Sequence, residues 1–303
     1  LNGQDNLEDL ENLVAGTYSV IATDQNGCQT DTTINITQVE DGMQILVDTV
    51  SNYNEWEIQC FEENNGFINI TLQGGTGPGT YTYTWYMDDV EMTEWNELSI
   101  DNLAQGVYKL VAEDLNECPA EIIIPIDQPP LLAFENVEIS DYTGFGVSCE
   151  GLSDGFVNVE IEGGVEPYSY QWSNNATSAN IDSLIADTYS LTVTDLNGCT
   201  IDTTVTLIPP ELVQVESVVL SEYEGYNVSC YGANDGSIDL EIEGGTEIYE
   251  YVWTAIDSLN NPINLNGQDN LEDLENLVAG TYSVIATDQN GCQTDTTINI
   301  TQV

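Results

Sequence analysis

The sequence has no histidine, no arginine and only one lysine, Lys109, in 303 residues. Without histidine the chain cannot build a Ser-His-Asp triad, a Cys-His pair or an imidazole metal site. Without arginine it has no bidentate phosphate clamp, and its net charge of −52 repels nucleic acids. No insertion that could form a cleft interrupts its repeats. We therefore expect no enzyme activity and no nucleic-acid partner, and no Lys–Asn isopeptide bond in any module lacking Lys109.

Long apolar runs are also missing. No stretch approaches 18 consecutive apolar residues, so we expect no membrane insertion of this segment. No signal peptide is visible, and the chain starts in mid-pattern at Leu1, which we interpret as an internal window of a longer protein. The charge alone suggests disorder, but 41% of the residues are hydrophobic, and 16 Tyr and 5 Trp are spread along the chain. These features indicate a folded chain with an acidic surface.

Internal repeats are the strongest signal in the sequence. Residues 1–39 recur without change at 265–303. Inside that period a shorter repeat is marked by Gly-Gly pairs and by three tryptophans, Trp85, Trp172 and Trp253. The repeats predict the C-terminal half of an Ig-like module followed by three full modules, with the ranges 1–39, 40–129, 130–209 and 210–303.

Each module has the pattern of an antiparallel β-sandwich. Segments such as 155–164 and 236–245 alternate apolar and polar residues, and turns follow every 8–12 residues. LVAGTY and LIADTY predict tyrosine corners at Tyr18 and Tyr189, and the three repeated tryptophans are predicted core residues. Proline pairs end the modules 40–129 and 130–209 and favour stiff connections. The predicted fold class is therefore all-β, with tandem Ig-like modules arranged as an elongated rod.

Two further tryptophans, Trp56 and Trp95, occur only in the module 40–129 and fall outside the repeated tryptophan pattern. We interpret them as candidate exposed aromatic contacts. Core packing is the alternative for all five tryptophans.

The seven cysteines fall into two classes. Those of the first class precede the Gly-pair strand, and those of the second follow an Asp-x-Asn-Gly or Asp-x-Asn-Glu motif. If the first and last turns lie at the same end of a sandwich, each module contains its own disulfide. Reduced buried thiols are the alternative. The predicted pairs are Cys60–Cys118, Cys149–Cys199 and Cys230–Cys292, with the partner of Cys28 outside the chain. Disulfides would favour an exported protein.

Taken together, these motifs resemble the SprB repeat. They include CYGANDG at 230–236, PYSYQW at 167–172 and the TDxNGC turn. The module 40–129 departs from this pattern with CFEENNG at 60–66 and NEC at 116–118. The resemblance implies a very large adhesin on the bacterial cell surface, exported by a type IX secretion system, held by anchoring machinery at the outer membrane, and used in adhesion or gliding.

Two kinds of motif have open alternatives. The Asp24–Gly27 and Asp195–Gly198 motifs are predicted turns, and calcium binding is the alternative; divalent cations near Glu40 and Asp41 would offset the negative charge. We expect no cofactor beyond such structural calcium. Asp-Ser/Thr triplets resemble bacterial O-glycosylation acceptors, although threonine-rich strands produce such triplets by chance. The candidate acceptors are Thr32, Thr49, Ser183, Thr203, Ser258 and Thr296.

The leading functional hypothesis is a stalk or filament segment that acts as a mechanical spacer. Its expected partners are neighbouring modules of the same chain and an unidentified external surface or glycan. A self-assembling fibre or sheath is one alternative, and a carbohydrate-binding array is another.

Overall fold

The computed structural model describes residues 8–39, 41–77 and 79–303, which form 21 β-strands and no helix, and hence no helix that could span a membrane. The chain divides into two compact units, Leu1–Pro129 and Pro130–Val303. The all-β, tandem Ig-like fold is confirmed.

The first unit begins with a two-stranded antiparallel sheet of β1 (Gly16–Thr23) and β2 (Gln29–Ile36). Seven strands follow in two sheets with orders β3-β4-β7 and β6-β5-β8-β9. These strands are β3 (Gln44–Val50), β4 (Gly66–Gln73), β5 (Thr82–Met87), β6 (Val90–Glu91), β7 (Ile100–Leu103), β8 (Gly106–Glu113) and β9 (Pro119–Ile126).

The second unit contains two modules with the same topology. The strands of the first are β10 (Ala133–Ile139), β11 (Gly155–Glu162), β12 (Ser169–Trp172), β13 (Ile181–Leu184), β14 (Thr188–Thr194) and β15 (Thr200–Thr206). Those of the second are β16 (Gln214–Leu220), β17 (Gly236–Glu243), β18 (Glu250–Ile256), β19 (Leu274–Leu277), β20 (Gly280–Thr287) and β21 (Gln293–Ile300). Each module pairs a three-stranded sheet of its first, second and fourth strands with one of its third, fifth and sixth.

The alternating sequence pattern produces the core. Along β11, Val157 and Val159 are buried, whereas Glu160 on the opposite face of the strand is exposed. Trp85, Trp172 and Trp253 are at most 3% exposed, and each indole donates a hydrogen bond to a backbone carbonyl. Their predicted core role is confirmed.

Tyrosine corners fix the turn before the fifth strand of each six-stranded module. The hydroxyl of Tyr189 donates to the carbonyl of Ile185, and that of Tyr282 donates to the carbonyl of Val278. Tyr18 makes the same bond to the residue four positions before it. The predicted corners are therefore confirmed.

One connection decides which turns share an end of a module. In module 130–209, residues 173–180 connect the end of β12 to the start of β13 and form no strand. β13 is antiparallel to β11, and β12 is antiparallel to β14. Because the short turn at 185–187 reverses the chain between β13 and β14, β12 and β13 run in the same direction. The turn between β10 and β11 therefore lies at one end of the module, and the turn between β14 and β15 lies at the other.

The duplicated 39 residues show how much this fold depends on neighbouring strands. Val20 and Ile34 in the β1–β2 sheet are more than 50% exposed. The identical residues Val284 and Ile298 are at most 7% exposed in module 210–303, where β18 and the opposite sheet complete the sandwich. These residues are thus buried where β18 and the opposite sheet are present.

Candidate functional site

The structure places the two cysteine classes in two different turns. First-turn cysteines, between the first two strands of a module, are Cys60, Cys149 and Cys230. Last-turn cysteines, between the final two strands, are Cys28, Cys118, Cys199 and Cys292. Because these turns lie at opposite ends of a module, the two cysteines of one module are held apart.

A disulfide joins Cys149 of module 130–209 to Cys292 of module 210–303, with 5.5 Å between their Cα atoms. The first-turn cysteine of one module is therefore bonded to the last-turn cysteine of the next. The predicted pairs Cys149–Cys199 and Cys230–Cys292 are wrong. The prediction assumed that every pair of consecutive strands runs in opposite directions. The strands on either side of residues 173–180, β12 and β13, run in the same direction, so the two turns lie at opposite ends.

The other cysteines also differ from the predicted pairing. Cys60 and Cys199 are also in disulfide form, whereas Cys28, Cys118 and Cys230 are free and exposed. The predicted bond Cys60–Cys118 is therefore wrong as well. A partner for Cys28 outside the chain stays a prediction.

Polar contacts surround the Cys149–Cys292 bond, and we call this region the module junction. The amide of Asn290 donates to the carbonyl of Tyr142 (3.0 Å), and its oxygen accepts from the hydroxyl of Thr143 (3.1 Å). Cys149 also packs against the core of module 210–303. The junction thus combines a covalent bond, two hydrogen bonds and apolar packing between the facing ends of two modules.

The junction turn on the side of module 130–209 is a two-residue hairpin. Tyr142 and Phe145 pair across it, and Thr143 and Gly144 both have positive φ, as a type I′ turn requires. The same hairpin occurs at 53–56 and at 223–226. Sequence analysis missed this hairpin, although alignment on the first-turn cysteines gives the shared pattern Tyr-x-x-aromatic.

That hairpin changes the interpretation of the two extra tryptophans. Trp56 occupies the aromatic position of Phe145 and Tyr226, so it belongs to the repeat after all, and it is half-buried. Trp95 is also half-buried, packs against its module's core and stacks on Tyr108 with 5.5 Å between ring centroids. Tyr108 and the core thus cover part of the Trp95 indole, and a contact role for Trp56 or Trp95 stays a prediction.

The opposing side of the junction is held by the aspartate of the Asp-x-Asn-Gly motif. One carboxylate oxygen of Asp288 accepts from the amides of Asn290 and Cys292, and the other accepts from the amide and hydroxyl of Thr246. Asp288 is only 5% exposed. It therefore fixes the last turn and ties that turn to the loop after the second strand.

The equivalent residue in module 40–129 is Asp114. The backbone amides of Thr76 and Cys118 donate to its carboxylate and lower its pKa to about 2. The same carboxylate raises the pKa of the neighbouring Cys118 thiol. The predicted turns at Asp24–Gly27 and Asp195–Gly198 are also present, and there Asp24 and Asp195 accept from the amides of Cys28 and Cys199.

Calcium has no ligand set in the part of the chain that the structure describes, where no three acidic or cysteine side chains cluster suitably. Glu40 lies outside the described residues. Acidic side chains do crowd each other at one place: Glu241 and then Glu243 raise the pKa of the Glu216 carboxyl. Structural calcium stays a prediction.

The candidate glycosylation residues lie on strands and turns at the surface. Thr32, Thr49, Ser183 and Ser258 are exposed, and Thr203 and Thr296 are half-buried. Glycosylation stays a prediction. The single lysine, Lys109, forms a 3.2 Å ion pair with Asp89 and lies 4.8 Å from the ring centre of Tyr86.

Comparison with known proteins gives one family. The family model for the SprB repeat matches residues 57–89, 147–177 and 226–258, one segment in each full module. No curated protein sequence matches the chain.

Solved structures match the chain only at low sequence identity and low TM-score. The N-terminal eight Ig domains of Down syndrome cell adhesion molecule match 95% of this chain at 13% identity and TM-score 0.40, and the chain spans 40% of that structure. A chain from a structure on host cell surface retention of a 1.5-MDa bacterial ice-binding adhesin matches 86% of this chain, and the match covers 98% of that solved chain, at 12% identity and TM-score 0.44. A tetra-tandem repeat from the extending region of a large adhesion protein matches 97% of this chain and 84% of its own at 16% identity and TM-score 0.34.

Proposed function

Since the chain is built of SprB repeats, we propose that it is a stalk segment of a bacterial cell-surface adhesin, in which the modules act as a mechanical spacer. The observation that carries this proposal is the Cys149–Cys292 bond, which joins two successive modules instead of closing one. A bond in this position makes a covalent path between the two modules. It therefore changes how a pulling force passes through the chain.

The route of tension explains the value of such a bond. When the chain is pulled at a point before β10 and at a point after β21, the force passes from β10 through Cys149 and Cys292 into β21. The chain between the two cysteines, whose sequence separation is 143, is then outside the covalent route. If either module unfolds, those residues cannot add to the length of the stalk. A spacer built in this way keeps its length under load.

Export, anchoring and gliding follow from the SprB resemblance. We expect the parent protein to be exported by a type IX secretion system, to be held by anchoring machinery at the outer membrane, and to support adhesion or gliding at the outer surface. The disulfides are consistent with an oxidising, extracellular environment. External ligands, whether a surface or a glycan, would then be contacted by the stalk surface or by other parts of the parent protein.

The test is surface labelling of intact cells. An antibody raised against this chain should label cells without permeabilisation, and brief protease treatment of whole cells should remove the signal. Removal of one 264-residue period from the parent gene, in frame, should shorten the surface structure and leave labelling intact. Labelling that requires permeabilisation would refute the proposal.

Neither alternative function gains support from a particular contact. The carbohydrate-binding hypothesis depends on Trp56 and Trp95, which are both half-buried, and a glycan array with module 40–129 and its Trp56→Ala variant tests it. The sheath hypothesis requires cations between highly negative chains, and light scattering during a calcium titration would detect the bundling that it predicts.

A further inference from the structure

Two free cysteines are complementary members of the pair seen at the module junction. Cys230 is a first-turn cysteine, Cys118 is a last-turn cysteine, and both are exposed. At the junction inside the second unit, a first-turn cysteine is bonded to the last-turn cysteine of the following module. Cys230 therefore needs a following module, and Cys118 needs a preceding one.

The internal duplication identifies which module follows. Residues 265–303 are identical to residues 1–39, and residues 1–39 lead directly into module 40–129. A second period continuing from Val303 would therefore start with a copy of module 40–129. The last-turn cysteine of that copy is the equivalent of Cys118.

The free end of module 210–303 already has the geometry of the bonded end of module 130–209. Tyr223 and Tyr226 form the same hairpin, again with two positive-φ residues in the turn. Ser221 supports it by donating to the carbonyl of Asn227, as Ser140 does to the carbonyl of Gly146. Tyr223 and Tyr226 are 39% and 38% exposed, so this surface is open to a partner.

The complementary turn in module 40–129 is equally prepared. Asp114 accepts from the amides of Asn116 and Cys118, as Asp288 does from those of Asn290 and Cys292. Asn116 is thus the equivalent of Asn290, which contacts the hairpin of the preceding module. Both halves of a second junction are formed before they meet.

We propose that Cys230 forms a disulfide with the Cys118 equivalent of a following copy of module 40–129, so that a cross-module bond recurs where one period joins the next. This inference rests on the proposed function insofar as that function requires successive periods. The chemistry is thiol–disulfide exchange with a small disulfide oxidant such as oxidised glutathione. One thiolate attacks the oxidant to give a mixed disulfide, and the second thiolate displaces the remaining glutathione. One S–S bond forms in the protein, the two thiols lose two protons, and the oxidant is reduced to two thiols.

The experiment extends the chain by its own sequence. Residues 40–129 are added after Val303, and the protein is refolded in a glutathione redox buffer at low concentration. Free thiols are alkylated, and the chain is digested with Glu-C, since trypsin has a single site. Mass spectrometry then identifies the linked peptides. In the main variant the original Cys118 is replaced (Cys118→Ser), so that any Cys118 peptide comes from the added copy.

The expected result is a peptide pair linking Cys230 to the added Cys118, with loss of Cys230 alkylation in most molecules. The matched control carries the serine in the added copy instead, and there Cys230 should remain alkylated. The Cys149–Cys292 peptide pair reports correct folding in both proteins. If that pair is present while Cys230 stays free, or bonds to the added Cys60 instead, the proposal is wrong. The outcome is independent of whether the parent protein is an adhesin, which the labelling of cells decides.

Discussion

Removal of the Cys149–Cys292 bond should greatly increase the length that the second unit gains under force. The test pulls a single molecule by groups attached at Leu131 and Val303, which are 57% and 68% exposed. Non-canonical amino acids at these two positions provide attachment without new cysteines. With the bond in place, only the segments from Leu131 to Cys149 and from Cys292 to Val303 lie between the attachment points.

The lengths follow from chain geometry. At about 3.5 Å per extended residue, the two segments span about 100 Å, whatever happens to the modules. Breaking the bond releases the chain between the cysteines, whose sequence separation of 143 corresponds to about 500 Å of contour length. The assay is optical tweezers or force microscopy, with contour length fitted for each unfolding event.

The double variant Cys149→Ser/Cys292→Ser should show unfolding events that sum to about 500 Å more than in the oxidised chain. Cys230→Ser, which removes a free thiol, is the matched control and should behave like the unsubstituted protein. A gain of about 500 Å in the oxidised, unsubstituted chain would refute the reasoning, because the bond would then not carry the tension.

Three further outcomes are expected. Tyr282→Phe removes the hydroxyl of a fully buried tyrosine corner and should cost its module about 1 kcal/mol of unfolding free energy, measured by denaturant titration. Glu55→Gly should stabilise its module by about 1 kcal/mol, because Glu55 has a φ of 79° where the equivalent hairpin residue is Gly144; a lower transition midpoint would contradict this. The hydrogen bonds to Asp114, led by that from the Thr76 amide, stabilise the folded state above about pH 4. This stabilisation should be lost as the pH falls towards 2, and Asp114→Asn should flatten that dependence in thermal unfolding.

Much of the fold could be predicted because it depends on local pattern. Alternation along segments such as 155–164 gave the strands, since one face of each strand must be apolar to form a core. The tyrosine corner at Tyr189 and the tryptophan at Trp172 were predictable for the same reason: their partners lie a few residues away in the chain.

The cysteine pairing could not be predicted in this way. It depends on the path of residues 173–180, which are held by contacts to residues distant in the sequence. The side-chain oxygen of Asn180, for example, accepts from the backbone amide of Val159 in β11. Both cysteines of module 130–209 lie in turns, as expected, but the direction of β13 separates those turns by the length of the module. Trp56 was misjudged for a simpler reason, because its equivalents Phe145 and Tyr226 are different amino acids at the same position.

The position of the two turns at opposite ends gives each module two unlike surfaces, so that the contact between modules 130–209 and 210–303 is heterologous. A contact of this type is open-ended, since each new copy presents the same unsatisfied surface as the copy before it. Gene duplication can therefore lengthen the protein without any new interface having to evolve. The unchanged 39-residue duplication in this sequence is what such growth would leave behind.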